Sequence, residues 1–381
     1  MTGKRTHPIR VLIADDSPTA RALLVAILQG AEGIDVVGTA ADGEEAIRLA
    51  ARLRPDVITM DVRMPKMNGL EATRQIMQTT PTRVVIVTAS LTWNDMDLSF
   101  EILRAGALTI VLKPGMSDPE TSEKVVRTVR LMADVPVVQR RAWGIQRANG
   151  TDDVPSTSPA AVLSEQEVTR AYRAVAIACS TGGPAALAAV LSALPVDFPV
   201  PILIVQHITS GFVSGLAGWL AGVTSLHVAV AGHGDLPPPG TVLLAPDDYH
   251  MQVNPQGRIE LLKDVPYRGL RPSANYLFHS LARHYGAQTV GIVLTGMGDD
   301  GAEGLQAIHD KGGLTIAQEE KSCVVFGMPR EAIARKAVER VLSPKEIGIL
   351  LRQLQEAGRG GTSPCPEPGI RYVARGTHDK L

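Results

Sequence analysis

Two long stretches of this 381-residue chain share one rhythm, in which short apolar runs rich in Val and Ile alternate with longer segments of helical periodicity. A run apolar at nearly every position must be covered on both faces, as strands are in a parallel sheet flanked by helices. In the first stretch the runs are IRVLIA, DVVGTA, DVITM, RVVIVT and LTIVL, and the pattern continues to about Met132. Between Asp134 and Arg170 the periodicity fades and Pro, Ser, Thr, Arg and Asp accumulate, a linker composition. The rhythm resumes with AVAIA, PILIVQ, TVLLA and VGIVLT and stops near Gln355, before a tail rich in Gly and Pro. The expected organisation is α/β: a first parallel-sheet domain over residues 8–132, a linker over 133–172, a second domain over 173–355 and a disordered tail over 356–381. The chain is too long for one compact core, so two jobs are plausible.

Charge and cysteine usage narrow the classes of function. With 38 basic against 39 acidic residues the formal net charge is -1, so nothing overall draws the chain to nucleic acid or to an anionic membrane. Cys179, Cys323 and Cys365 form an odd set without metal-ligand spacing, which fits a reducing compartment and a cytoplasmic protein. The N-terminus MTGKRTHPIR leads into a strand instead of the apolar core of a signal peptide. The uncharged stretches Ala174 to Val196 and Phe198 to Gly234 are broken by Gly182-Gly183-Pro184 and by Pro199 and Pro201, so no membrane insertion is expected.

In open parallel sheets functional groups gather at the carboxyl edge of the strands. Four of the first five strands end on such a group: Asp15 and Asp16, then Asp61, Thr88 and Lys113. Three carboxylates at one edge repel one another unless a cation compensates, and an all-oxygen set favours Mg²⁺ over zinc. Such a site is primed for phosphoryl transfer to a carboxylate, with Lys113 neutralising phosphate oxygens.

The second domain repeats the device with different chemistry. AVAIACSTGGPAA reads as strand, tight turn and helix, with Ser180 on the turn in the manner of a nucleophile elbow, although without the G-x-S-x-G spacing. A structural or phosphate-binding turn is the alternative, and Cys179 is a rival nucleophile that reads better as a core residue. PILIVQ ends at His207, and VGIVLTG runs into Met297-Gly298-Asp299-Asp300-Gly301. The same edge rule thus collects Ser, His and Asp, the parts of an acyl-transfer triad.

Several motifs in order carry a family resemblance: Asp61 to Gly69 (DVRMPKMNG), Ser180-Thr181-Gly182-Gly183, Gln206-His207, Arg271-Pro272-Ser273, Leu294 to Gly301 and Phe326-Gly327-Met328-Pro329. The first half resembles response-regulator receivers, and the second is similar to the catalytic domain of the protein-glutamate methylesterase family, CheB. The resemblance implies a flavodoxin-like receiver followed by a Rossmann-like serine esterase. It implies Asp61 as phospho-acceptor, Asp15 and Asp16 as further Mg²⁺ ligands, and Thr88 and Lys113 as the receiver switch. For the esterase it implies Ser180 as nucleophile, His207 as base, Asp300 as orienting acid, the Thr181 and Met297 amides as oxyanion donors, and no cofactor. The implied activity is phosphorylation-controlled hydrolysis of glutamyl γ-methyl esters on chemoreceptors, releasing methanol, with deamidation of receptor glutamine as a second activity. A chemotaxis histidine kinase is the implied phosphodonor. A non-enzymatic regulator with a vestigial triad is the rival class, whereas a DNA-binding output fails for want of a basic recognition helix.

Three departures from the family pattern stand out: Ile110 where receivers carry an aromatic switch residue, Ile208-Thr209-Ser210 in place of a Met-Pro-Pro run, and Asn275 in place of Asp. The last two are expected on the rim of the esterase site.

Overall fold

In the computed structural model, the structure describes residues 7–89, 100–103, 105–135 and 171–358. The first sheet is five-stranded and wholly parallel, in the order β2-β1-β3-β4-β5. Its strands are β1 (Ile9–Ala14), β2 (Ile34–Ala40), β3 (Val57–Met60), β4 (Arg83–Thr88) and β5 (Thr109–Leu112). They coincide with the five apolar runs. Helices α1 (Pro18–Gln29), α2 (Gly43–Leu53), α3 (Gly69–Thr79) and α4 (Pro119–Ala133) accompany them, and residues 100–103 are also helical.

The second sheet has seven parallel strands in the order β14-β13-β12-β6-β7-β9-β8. They are β6 (Ala174–Cys179), β7 (Ile202–Gln206), β8 (His227–Val230), β9 (Thr241–Leu244), β12 (Thr289–Val293), β13 (Leu314–Gln318) and β14 (Arg340–Leu342). An antiparallel hairpin, β10 (His250–Val253) with β11 (Ile259–Leu262), stands apart from that sheet. The helices are α5 (Gly183–Leu191), α6 (Val213–Val223), α7 (Ala274–His284), α8 (Ala302–Asp310), α9 (Met328–Ala334) and α10 (Pro344–Gly358). Both units are thus doubly wound α/β sheets. The last helix runs three residues into the expected tail, and 359–381, like linker residues 136–170, lies outside the described residues.

Strand β6 shows why the centre is built from small side chains. Its residues are all buried, and because a strand alternates faces, Ala174, Ala176 and Ala178 pack with Leu277 and Phe278 of α7. Val175, Ile177 and Cys179 pack on the opposite side with Leu187 and Val190 of α5. Alanine on one face lets α7 lie close beneath the strand that ends at Ser180. Among the described residues no helix is long and apolar enough to cross a membrane.

The two units touch. The Phe100 ring stacks on Trp219 of α6 with centroids 5.5 Å apart, and the Trp219 indole N–H donates to Glu101 at 3.3 Å. The Thr209 hydroxyl donates to the Ile110 carbonyl at 3.4 Å. Ile110, at the usual aromatic switch position, is itself buried.

Candidate active sites at two sheet edges

At the edge of the first sheet, β1 delivers Asp15 and Asp16, β3 delivers Asp61, β4 ends on Thr88 and β5 leads to Lys113. Carboxylate oxygens of Asp15, Asp16 and Asp61 lie within 4.8 Å of one another, Asp15 and Asp61 buried and Asp16 exposed. The Lys113 ammonium donates to Asp61 Oδ2 at 2.7 Å and lies 2.8 Å from Asp15 Oδ2. Burial pushes the Asp61 carboxyl above its usual range, against the opposing pull of Lys113 and with Asp15 adding repulsion. Burial works against the charge on Lys113 too, but Asp15 and Asp61 outweigh it and hold its pKa above the ordinary lysine value. A converging set of hard oxygen donors with one side open to solvent through Asp16 fits Mg²⁺. Thr88 is buried at this edge, and its carbonyl accepts the Lys113 amide at 2.8 Å.

The edge of the second sheet draws on three adjacent parallel strands: β12, β6 and β7. Ser180 follows β6, His207 follows β7, and Asp300 lies in the turn between β12 and α8. The elbow after β6 needs Gly182 in the left-handed region, at φ 80°, and a Cβ there would come within 2.5 Å of Val324. Helix α5 begins at the next residue, so its amides and the positive end of its dipole point toward the Ser180 turn. The Ser180 amide is already spent on the Thr295 carbonyl at 3.0 Å. Among the described residues the amides of Thr181 and Met297 have no acceptor, and the Ser180 hydroxyl makes no hydrogen bond.

Asp300 is the most tightly held carboxylate in this half. It is buried, with the Ser273 hydroxyl and the Ala274 amide each donating at 2.6 Å and the Asn275 amide at 3.3 Å. His207 Nε2 approaches its Oδ2 to 2.9 Å, a close polar contact off the line of a linear hydrogen bond. Burial alone would push the Asp300 carboxyl up, but His207, Ser273 and Ala274 outweigh it and hold it below the usual carboxylate range. Asp299 turns the other way and pairs with Arg268 at the surface.

One expectation needs correction. Asn275 is not on the rim. It is buried under Asp300, and its side-chain oxygen accepts the Gly304 amide at 2.8 Å. The Ile208-Thr209-Ser210 run keeps its expected place at the cleft, where Ile208 and Thr209 line the wall and Thr209 is buried against the Ile110 carbonyl because the first domain covers that side. The rival nucleophile Cys179 is fully buried, with its thiol 3.0 Å from Gln206 Oε1 and its pKa pushed far up by burial, so it presents no thiolate.

Gln206 and Ser273 stood in the quoted motifs without an assigned task. The Gln206 amide donates at 2.8 Å to the carbonyls of both Ser180 and His207 and so ties the two strand ends together. A cleft of about 440 Å³ opens at Ser180, His207 and Met297, and its opposite wall is the first domain, including Ile110, Lys124 and Arg127.

Comparison with known proteins agrees with this division. Residues 11–125 match the response regulator receiver domain, and residues 175–351 match the CheB methylesterase domain. The chain is 45% identical over 358 residues to a protein-glutamate methylesterase/protein-glutamine glutaminase of Nitrosospira multiformis, covering 93% of this chain and 99% of that one. A protein of the same description from Myxococcus xanthus is 46% identical over 360 residues, with the same coverage. The crystal structure of the Thermotoga maritima CheB methylesterase catalytic domain is 36% identical, covers 48% of this chain and 98% of its own, and gives a TM-score of 0.47.

Proposed function

The chain belongs to the CheB family of protein-glutamate methylesterases/protein-glutamine glutaminases, receiver-linked hydrolases, and we propose that Ser180, His207 and Asp300 carry out its ester hydrolysis. The observation that carries this reading is the saturated, buried Asp300 set against His207 at the sheet edge where Ser180 and two unengaged amides converge.

Because Asp300 takes the Nε2 side of the imidazole, Nδ1 is the nitrogen left to accept a proton from Ser180. The Ser180 oxygen attacks the γ-carbonyl carbon of a glutamyl methyl ester on a chemoreceptor, and its proton passes to His207. The oxyanion forms against the amides of Thr181 and Met297. His207 returns the proton to the departing methanol, and water then hydrolyses the acyl-serine to release the glutamate carboxylate. The same steps on a glutamine side chain release ammonia, the second activity in the relatives' name. The substrate segment faces the cytoplasm, where this chain works.

In the receiver, Asp61 is the carboxylate that takes a phosphoryl group from a histidine kinase, with Asp15 and Asp16 completing the Mg²⁺ ligands. The cation neutralises phosphoryl and carboxylate charge when bound. Lys113 holds the phosphoryl oxygens, and Thr88 reads their arrival. Since the receiver walls the cleft at Ser180, phosphorylation controls access by weakening the contacts of Phe100, Glu101 and Ile110 with the esterase. The domain bounds proposed are 8–132 and 173–355, each span holding all strands of one sheet, with the last helix of each running one to three residues further. The test is methanol release from methylated receptor membranes by the full chain and by Ser180→Ala; retention of most activity in the variant sinks the serine-esterase reading.

A further inference from the structure

Every backbone or hydroxyl donor that holds Asp300 comes from one short run, Ser273 to Asn275. Behind that run stands His250, the first residue of β10 and fully buried. Its ring lies flat on Tyr276, with centroids 3.8 Å apart and planes 10° apart. Nδ1 accepts the Ser273 amide at 3.1 Å, and Nε2 lies 3.3 Å from the Val265 carbonyl. A nitrogen facing a donor must be the unprotonated one, so the single ring proton sits on Nε2, where a carbonyl accepts it. The partners therefore dictate the tautomer.

These two contacts bracket the segment from Val265 to Ser273. Arg268 and Leu270 of that segment line the cleft beside Ser180 and His207, and Arg268 pairs with Asp299, the neighbour of the acid. One imidazole thus pins both ends of a loop that supplies the rim of the site on one side and the anchors of its acid on the other.

We propose that His250, as a neutral Nε2–H imidazole, is a positioning residue for Asp300 and, through it, for the ring of His207. The proposal rests on the triad reading above. His250 touches neither substrate nor the reacting atoms. It acts through the Ser273 amide, whose placement aims the Ser273 hydroxyl and the Ala274 amide at the two oxygens of the carboxylate. Burial disfavours its cationic form and holds its pKa below the ordinary histidine value; the Val265 carbonyl, Asp264 and Asp300 pull the other way, while Arg271 sides with burial. Protonation would set a ring N–H against the Ser273 N–H and break the anchor.

Three variants of the full chain separate positioning from packing. In His250→Asn the side-chain oxygen falls close to the place of Nδ1 and can accept the Ser273 amide, whereas His250→Gln reaches toward Val265 and leaves that amide bare. His250→Leu offers neither contact. In methanol release, Leu and Gln are expected to lower kcat about 10- to 100-fold with KM within about twofold, because a misplaced acid slows the chemical step without weakening substrate binding. Asn is expected to stay within about fivefold of the parent. Equal losses of kcat in all three variants, tracking their melting temperatures, would mean packing alone and overturn the proposal. So would full kcat in His250→Leu beside an inactive Ser180→Ala, an outcome that leaves the triad standing. Activity in Ser180→Ala itself would bring down the triad reading and this proposal with it. Nitrogen-15 NMR of the parent protein at neutral pH gives a check free of folding effects: a protonated Nε2 and a bare Nδ1 on His250 are expected, and the reverse overturns the assignment.

Discussion

Asp61 and Asp300 are both buried carboxylates at the carboxyl edge of a parallel sheet, yet their surroundings are opposites. Asp61 has two other carboxylates within reach and one ammonium to offset them, and burial wins, so it is held in a state that resists its own charge. Beside Asp300 the neighbouring carboxylate, Asp299, is turned away to Arg268, and the donors of Asp300 win over burial, so its charge is already complete. The contrast follows from what each must meet. An incomplete acidic set is relieved by an incoming cation and phosphoryl group, which makes it responsive. A carboxylate whose hydrogen bonds are complete holds still while a neighbouring imidazole gains and loses a proton, which makes it preorganised. One edge is built to be changed and the other to stay the same.

The sharpest way to break this comparison lies at the preorganised edge. Ser180→Ala and His207→Ala are each expected to cut methanol release by about 10⁴-fold or more with folding intact, measured on purified protein with methylated receptor membranes. Asp300→Asn keeps the shape but removes the charge, and a loss of about 10³- to 10⁴-fold is expected. If Asp300→Asn kept most activity while Asp299→Asn lost it, the orienting acid would be the wrong neighbour.

At the responsive edge the same Asp-to-Asn change should act on control rather than chemistry. Asp61→Asn is expected to abolish Mg²⁺-dependent labelling by acetyl phosphate and to leave the basal esterase rate within about twofold. Full labelling of that variant would place the phosphoryl group elsewhere. Activation by phosphate on the parent is expected to be about tenfold, which needs only about 1.4 kcal/mol of differential stabilisation. Trp219→Ala removes the stack on Phe100 and the bond to Glu101, so it should raise the unphosphorylated rate by several fold. A fragment beginning at Ala171 should exceed the unphosphorylated full chain. Equal rates in fragment, phosphorylated and unphosphorylated chains would mean that the receiver targets the enzyme instead of gating it.

The smallest effects concern stability, and their signs should differ. The folded-state pKa of Asp300 is depressed, so its contribution is present above the unfolded carboxyl value and is lost as the pH falls through the folded one. For Asp61 the folded pKa is raised, so charge at neutral pH costs stability when Mg²⁺ is absent. Without the cation, Asp61→Asn should therefore raise the melting temperature of its half and Asp300→Asn lower that of its own, each by about 1 kcal/mol of stability. Calorimetry in chelator at pH 7 reads both, and shifts of the same sign would erase the distinction.

Much of this architecture could be read from the chain before any contact was known. The five receiver strands coincide with short runs rich in Val and Ile: β3 is buried throughout because both its faces are covered, whereas the edge strand β2 keeps its apolar character around exposed Asp35 and Thr39. The runs of β6, β7, β9 and β12 were legible for the same reason. Strand β8 was not: it is an edge strand with no buried residue, so its HVAV carries no continuous core signature. The short β14 and the hairpin of β10 and β11 escaped too, since four residues or fewer with one side partly exposed look like any loop.

Residue type and strand end together named Asp15, Asp16, Asp61, Thr88, Lys113, Ser180 and His207, because in a parallel sheet the direction of the chain alone says which end of each strand shares an edge. The residues by themselves left Asp299 and Asp300 as equals. Only tertiary structure turned one to Arg268 at the surface and the other to Ser273 and His207 in the interior. It alone showed that Asn275 lies under the acid, and that His250, 23 positions before Ser273, anchors the loop that holds it. The same is true of the seam between the domains, where Thr209 meets Ile110 across 99 positions and Trp219 meets Glu101 across 118. Periodicity and chain direction are local properties that a sequence carries in plain order, whereas the aim of a side chain in a turn is decided by partners brought near only when distant segments pack.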